Sequence, residues 1–533
     1  MIASCSSDFA YQRKWRYVCA LRFLPLLLLL VVFGSVQAGD FTYITNNGAI
    51  TITGYTGPGG EVTIPSAITD LPVTSIGYRA FDSYASLTRV IFPGSVTVIS
   101  NSAFNECANL NNVTFGNGLE RIENWAFQHC SSLRTLNLPD SLTNIGHLVF
   151  AYCSSLTNVT IGKGLTAIGS QPFLACSSLK AIDVDALNPA YVSVDGVLLS
   201  KSPATVFECP EGKTGSYAIP DGVIGIGTGA FQYSALTNVA IPAGVIFIGD
   251  SAFRFCYTLG SLTLPDSLTS IGSRAFESCD RIKTVTIPAG VTNIGSGAFA
   301  SCDVLSAITV AALNSAYTSV NGVLFNQSQT VLVQYPAGKG GWSYTIPDGV
   351  TNIADAAFYH CRVSGVSIPQ SVTCIGYAAF NGCSALGNIL IPNSVTALGT
   401  WAFASCSSLT NLTIGSGITS IPTGAFLGTG ITNLTVSDSV TSIGELAFSH
   451  CLNLTGVTVG SRVTNINESA FSYCSKLHTV TIGSTVTSLG NYAFEHCSAL
   501  TGVYFQGNAP TANLSVFSSA TSVTVYYLPG TTD

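Results

Sequence analysis

The chain has 533 residues, 47% of them hydrophobic and only 9% charged, a balance that excludes an intrinsically disordered polymer. Its net charge of −7, from 20 basic and 27 acidic side chains, leaves no basic footprint for nucleic acid. A compact chain of this length would split into several domains, whereas a repeat array escapes that limit because each unit needs only its neighbours.

Arg13, Lys14, Arg16 and Arg22 precede the apolar run Phe23–Phe33, and Gly34-Ser-Val-Gln-Ala38 follows it. Charged, apolar and small-residue stretches in that order predict a secretory leader over 1–38. The run is too short for a membrane span, which needs about 20 residues. The mature chain is therefore expected to be secreted or held at a cell surface, as in bacterial export, with no membrane span of its own.

Beyond the leader the sequence repeats. A Phe, mostly within Ala-Phe, recurs at 81, 104, 127, 150 and 173, again at 231, 253, 276 and 299, and then at 358, 380, 403, 426, 448, 471 and 494. Each block keeps a spacing of 22 or 23 residues, and Phe517 marks a degenerate final unit. The unit reads AF-x-x-C-x-x-L-x-x-V-x-I-P/G, then x-x-V-T-x-I-G. In L-x-x-V-x-I the last two apolar residues alternate with period two, as a strand with one buried face requires; Leu133, Leu136 and Leu138 are an example. Pro or Gly ends that strand, V-T-x-I-G forms a second short one on the opposite wall, and AF-x-x-C is the corner, expected to be a tight helical turn. Stacked at strand spacing, about 17 rungs and two inserts give a rod or arc on the order of 90 Å long.

The spacing lengthens twice, between Phe173 and Phe231 and between Phe299 and Phe358. The first gap holds Leu187-Asn-Pro-Ala-Tyr191, Ser193-Val-Asp-Gly-Val-Leu198 and Tyr217-Ala-Ile-Pro-Asp-Gly-Val223. The second holds Leu313-Asn-Ser-Ala-Tyr317, Ser319-Val-Asn-Gly-Val-Leu324 and Tyr344-Thr-Ile-Pro-Asp-Gly-Val350, so the two are internal duplicates. Asp195-Gly and Asn321-Gly signal hairpins, expected to protrude from variant coils at about 181–220 and 307–347.

The whole unit resembles the BspA-type leucine-rich repeat of bacterial and some protist surface proteins, over roughly residues 61–530. That resemblance implies a leucine-rich-repeat solenoid: stacked parallel strands on one face, short strands and helical turns on the other, a β-rich α/β architecture. Residues 39–60 resemble the lead-in that caps such arrays, and 61–533 form the array.

Thirteen of the 17 Cys stand three residues after a unit Phe, Cys107, Cys279 and Cys406 among them. A line of thiols does not converge on a metal, so these read as small core residues beside Phe104, Phe127, Phe276, Phe403 and Phe471. Neighbouring rungs would bring some pairs near disulfide range. Cys209 and Cys374 fall outside the column and are expected to be the exposed thiols. Four of the six His directly precede a column Cys and read as solvated corner residues. No phosphate loop, nucleophile elbow or HExxH is present. The expectation is a chain with no catalytic residues, metal or cofactor.

The outward positions of the long strand are rich in Thr and Asn and nearly uncharged. Thr263, Thr286 and Thr413 belong to that ladder; Arg89, Arg134, Lys180, Lys283, His478 and Tyr504 interrupt it and are the candidate ligand contacts. The expected function is a non-enzymatic, adhesin-like recognition scaffold for an extracellular protein or glycan. The alternatives are a passive surface-layer or spacer element, or a Thr ladder that packs against a polysaccharide.

Overall fold

The computed structural model describes residues 38–531, so the predicted leader lies outside the described residues apart from the backbone of Ala38. Two parallel ladders run through the array. In one, the L-x-x-V-x-I segments pair in register, as where Thr135–Leu138 meets Asn158–Ile161 with Leu136 opposite Val159 and Leu138 opposite Ile161. In the other, two-residue strands from V-T-x-I pair rung to rung, Arg121–Ile122 with Asn144–Ile145 and then Ala167–Ile168. Each rung buries one face of both strands, and the rungs above and below satisfy their backbone groups.

The corner departs from the expected helical turn. Among the described residues there is no α-helix, and the only helical element is the 3₁₀ turn Ala38–Asp40. The cause is a pair of left-handed residues in each corner, two before and two after the Phe, such as Ser102 (φ 55°) and Glu106 (φ 59°). A helix needs an unbroken right-handed run, which these positions interrupt. The backbone then alternates: Phe104 N donates to Ala126 O of the next rung at 2.7 Å, Asn105 N turns back to Ser102 O at 3.1 Å, and Glu106 N donates to Gln128 O at 2.8 Å. The corner is thus a third hydrogen-bonded seam.

Behind the seam the phenyl rings form a column. Phe81, Phe104 and Phe127 stack at 4.7 and 5.0 Å with interplanar angles of 13° and 2°. Phe104, Phe127, Phe276, Phe403 and Phe471 are fully buried, as are Cys107, Cys279 and Cys406. Every one of the thirteen column thiols points its Sγ at the ring residue's carbonyl one rung back, as Cys107 does to Phe81 O at 3.0 Å and Cys279 to Phe253 O at 3.1 Å. The described cysteines are all free, and burial pushes the Cys107 thiol up to about 12, which keeps it protonated and donating.

The inserts correct two expectations. The hairpins do not protrude. In the first, Tyr191–Val194 and Val197–Lys201 pair antiparallel, and Ala204–Glu208 continues into the short-strand ladder. Leu198 packs into the core that precedes the insert, while Val197 and Leu199 pack into the core that follows. Val323, Leu324 and Phe325 divide in the same way at the second insert. Each hairpin strand is therefore a wall between core compartments. Cys209 is likewise buried rather than exposed, 25 residues from Ser234 in sequence and 3.9 Å from its Oγ, whereas Cys374 is half-exposed. Cys209 N donates to Ala230 O and Tyr335 N to Ala357 O, so Cys209 and Tyr335 take the Phe position in their variant coils.

A buried Asn locks each wall. Asn314 donates through Nδ2 to Pro288 O (2.7 Å) and Val291 O (2.9 Å), and its Oδ1 accepts from Ala316 N and Tyr317 N. Asn188 makes the same four bonds in the first insert. Asn314→Leu leaves four backbone groups without that partner and should destabilise the second junction by about 3 kcal/mol or more, at ~1–3 kcal/mol per buried group left unpaired. Limited proteolysis should then cut near 314 first; an unchanged cleavage pattern would contradict the lock.

Candidate functional site

The long-strand face keeps the candidate contacts apart. Arg134, Lys180, Lys283 and His478 each follow the unit Leu or Ile by one residue and are exposed, but whole rungs separate them. Arg134 sits in a shallow basin of about 300 Å³ among Thr88, Asn109, Asn111, Ser132 and Ser155. Arg89 is half-buried, 3.6 Å from Glu61, and His478 bonds its Nδ1 to Lys476 O at 2.6 Å.

The Thr ladder is real but broken. Thr286 and Thr309 share a hydroxyl contact of 2.8 Å across rungs. Thr413 stands in register with Leu390, and Thr263 lies in a stretch without strand structure, so it is outside any ladder. Tyr504 is opposite Thr481 on one side and stacks on Tyr526 at 4.7 Å on the other.

The corner face carries a feature that composition alone did not point to. The residue two after the Phe is left-handed and its side chain points outward, and there rings stack along the outside of the array. His129 lies on Tyr152 at 4.5 Å, Tyr233 on Phe255 at 4.9 Å, and Tyr473 is sandwiched between His450 at 4.6 Å and His496 at 4.5 Å. The corner histidines, read as isolated solvated groups, are thus members of aromatic stacks. The signal was available in the recurrence of Tyr, Phe and His at a single offset from the unit Phe.

One stack is interrupted. After Phe255 the next two rungs place Ser278 and Ser301 in the column, and it resumes at His360 across the second insert. The gap is a trough of about 540 Å³. Along one wall Glu277, 4% exposed, is gripped by Arg254 through two bonds of 2.8 and 3.1 Å, with Arg274 at 3.6 Å. Arg254 also lies 4.2 Å over the Phe255 ring. Along the other wall Asp280 and Asp303 come from adjacent rungs, and Arg362 reaches back across the insert to Asp303 at 2.5 Å. Burial, and then the neighbouring Asp303, push the Asp280 carboxyl up to about 6. Burial pulls the His360 imidazole below its usual range.

At the first insert the corresponding junction is closed instead. Gln171 of the preceding corner donates its Nε2 to Gln232 Oε1 at 2.6 Å. The second junction has Gly297 and Tyr359 at those offsets, with Gly297 packed against Ala356 and no such side-chain bond across it. Among the described residues no group of three or more His, Cys, Asp and Glu is arranged to hold a metal ion. None of the described helices is long and apolar enough to cross a membrane.

No curated protein matches the chain. Among solved structures, the chain is similar to a leucine rich cell surface protein from Faecalibacterium prausnitzii, with 25% identity over 89% of this chain and 95% of that one and a TM-score of 0.34. It is also similar to leucine-rich repeat proteins from Bacteroides ovatus (18% identity, 93% and 100% coverage, TM-score 0.41) and Eubacterium ventriosum (20%, 86% and 93%, TM-score 0.43). The sequence profile described as BspA type leucine rich repeat region (6 copies) matches residues 74–189, 206–338, 341–455 and 419–533. That match covers most of the chain, and the chain belongs to the BspA-type leucine-rich repeat family.

Proposed function

We propose that this protein is an exported, non-enzymatic recognition scaffold that works at the cell surface in an adhesin-like role, binding an extracellular protein or glycan. The observation that carries the reading is the division of labour within each unit. Phe, Cys, Leu, Val and Ile are consumed by the core, and what remains is a set of outward columns repeated over many rungs. Such a surface suits extended contact with a large partner better than enclosure of a small one. Membership of a family whose similar structures include a cell surface protein supports the location.

The test is a binding screen of residues 39–533, purified, against matrix proteins, intact cells and a glycan array. Saturable binding to at least one class is expected; absence of binding across all three would overturn the reading. A passive surface-layer or spacer role is the second reading, favoured by the uniformity of the units. It predicts ordered self-assembly on cells with no soluble partner.

A further inference from the structure

We propose that the trough between Phe255 and His360 is a saccharide-binding subsite that takes a neutral pyranose of a glycan chain. Where rings fall on adjacent rungs of the corner face they stack directly on one another, at 4.5 to 4.9 Å, and small residues such as Gly382, Ser405 and Gly428 separate the stacks. Here two serines remove two side chains from the column and leave a ring-bounded gap, with Phe255 at one end and His360 at the other. Its volume of about 540 Å³ falls within the range of sites that enclose small ligands, ~300–1,000 Å³. A pyranose presents apolar C–H faces to such rings and hydroxyls to the sides.

The walls favour a neutral ligand rich in both donors and acceptors. Glu277 is balanced by Arg254 and Arg274, and Asp303 by Arg362, so most of the charge is already paired inside the protein. Paired groups of this kind still have free lone pairs and N–H groups, which suit hydroxyls. Asp280 accepts from the Asp303 backbone and feels Arg362, so a cationic peptide would find no carboxylate without a partner, and an anionic ligand would meet three acidic side chains along the walls. The pairs also hold the walls rigid: Arg362 and Asp303 come from opposite sides of the insert, 59 residues apart. At the first junction Gln171 bonds to Gln232, and Ala175, which stands where Ser301 does, donates its N–H to the Glu211 carboxylate.

This inference rests on the recognition reading, and its test separates the two. Residues 39–533 are titrated calorimetrically with cellotriose, mannotriose, galactotriose, xylotriose and chitotriose, with deca-arginine as the charged comparison. At least one saccharide is expected to bind. Ser301→Tyr, which refills the column, should weaken that binding at least tenfold, as should Phe255→Ala. Tyrosine is compatible with the backbone there, because Tyr152, Tyr233 and Tyr473 occupy the same offset with φ of 60° to 63°. Should Ser301→Tyr lose its native circular dichroism, Asp280→Asn serves in its place and should weaken binding in the same direction. Failure of every saccharide to bind, binding unaffected by these variants, or binding of deca-arginine in their place would overturn the subsite. If the chain still binds cells or matrix proteins in that event, the recognition reading stands without the subsite.

Discussion

Phe276→Ala should lower the stability of its part of the array by about 3–5 kcal/mol, the cost of truncating a fully buried aromatic. The ring is shielded from solvent and lies between Phe253 at 5.1 Å and Phe299 at 5.4 Å, nearly parallel to both. Removing it opens a cavity and also breaks two stacking contacts through which neighbouring rungs stabilise each other. Because coupling in such arrays is to nearest neighbours, the loss should be concentrated in the compartment between the two inserts rather than spread over the chain. Thr263→Ala, at an exposed site outside any strand, should change stability by less than about 0.5 kcal/mol. Denaturant titration of the two variants checks this, and equal effects would contradict the assignment of inside and outside.

Glu208→Gln should stabilise the first insert at neutral and alkaline pH and leave it unchanged in acid. The duplicated inserts supply the argument. Glu208 pairs with Leu198 in the first as Gln334 pairs with Leu324 in the second. The Gln334 amide donates to the carbonyls of Tyr335, Ala356 and Ala357 at 3.3, 3.4 and 3.0 Å. A carboxyl at the same place can donate only when protonated. Burial, and then the nearby Glu211, push the Glu208 pKa well above its ordinary 4.5. Glu211 accepts from Ala175 N and is itself pushed up to about 7, chiefly by burial.

The sign follows from proton linkage. Between pH 4.5 and its folded pKa, Glu208 keeps a proton in the folded chain that the unfolded chain has lost. Stability contributed by the neutral acid is complete below the unfolded value and falls as pH rises, by at most about 1.4 kcal/mol per pH unit. Glu208→Gln removes that loss while leaving the smaller dependence due to Glu211. Melting temperatures from pH 4 to 9 should converge for the two proteins in acid and diverge in base. Parallel profiles would show that Glu208 is not held neutral.

Much of the fold was legible in the sequence because a single unit recurs sixteen times. The strand faces, the Phe column and the Cys column all follow from which positions stay apolar. The corner conformation was not legible, since Ser, Glu, His, Trp and Tyr all occupy its left-handed positions and none of them announces a positive φ as glycine does. The buried hairpins were misjudged for a different reason. Asp195-Gly and Asn321-Gly were recognised as turns, but the unbroken apolar runs Val197-Leu-Leu199 and Val323-Leu-Phe325 are the mark of a strand buried on both faces. Cys209 aligns with Tyr335 in the duplicated inserts, each followed by Pro-x-Gly-Lys, but that neither is Phe hides their place in the ring column.

The candidate contacts fared differently. Arg134, Lys180, Lys283 and His478 are exposed, and at 22 or 23 residues per rung their sequence numbers already set them rungs apart. The trough was invisible to the sequence because two Ser at a variable position carry no signal of their own. Only the rings on either side, brought together across the second insert, give their absence a shape.

Native-state hydrogen exchange tests the central claim most directly. If one module is stacked throughout, the amides of the unit Phe residues from Phe81 to Phe494 that donate to the next rung's corner carbonyl, which is all of them except Phe173 and Phe299 ahead of the inserts, should be strongly protected. Rapid exchange at those amides, with protection confined to scattered globular segments, would contradict the continuous stack.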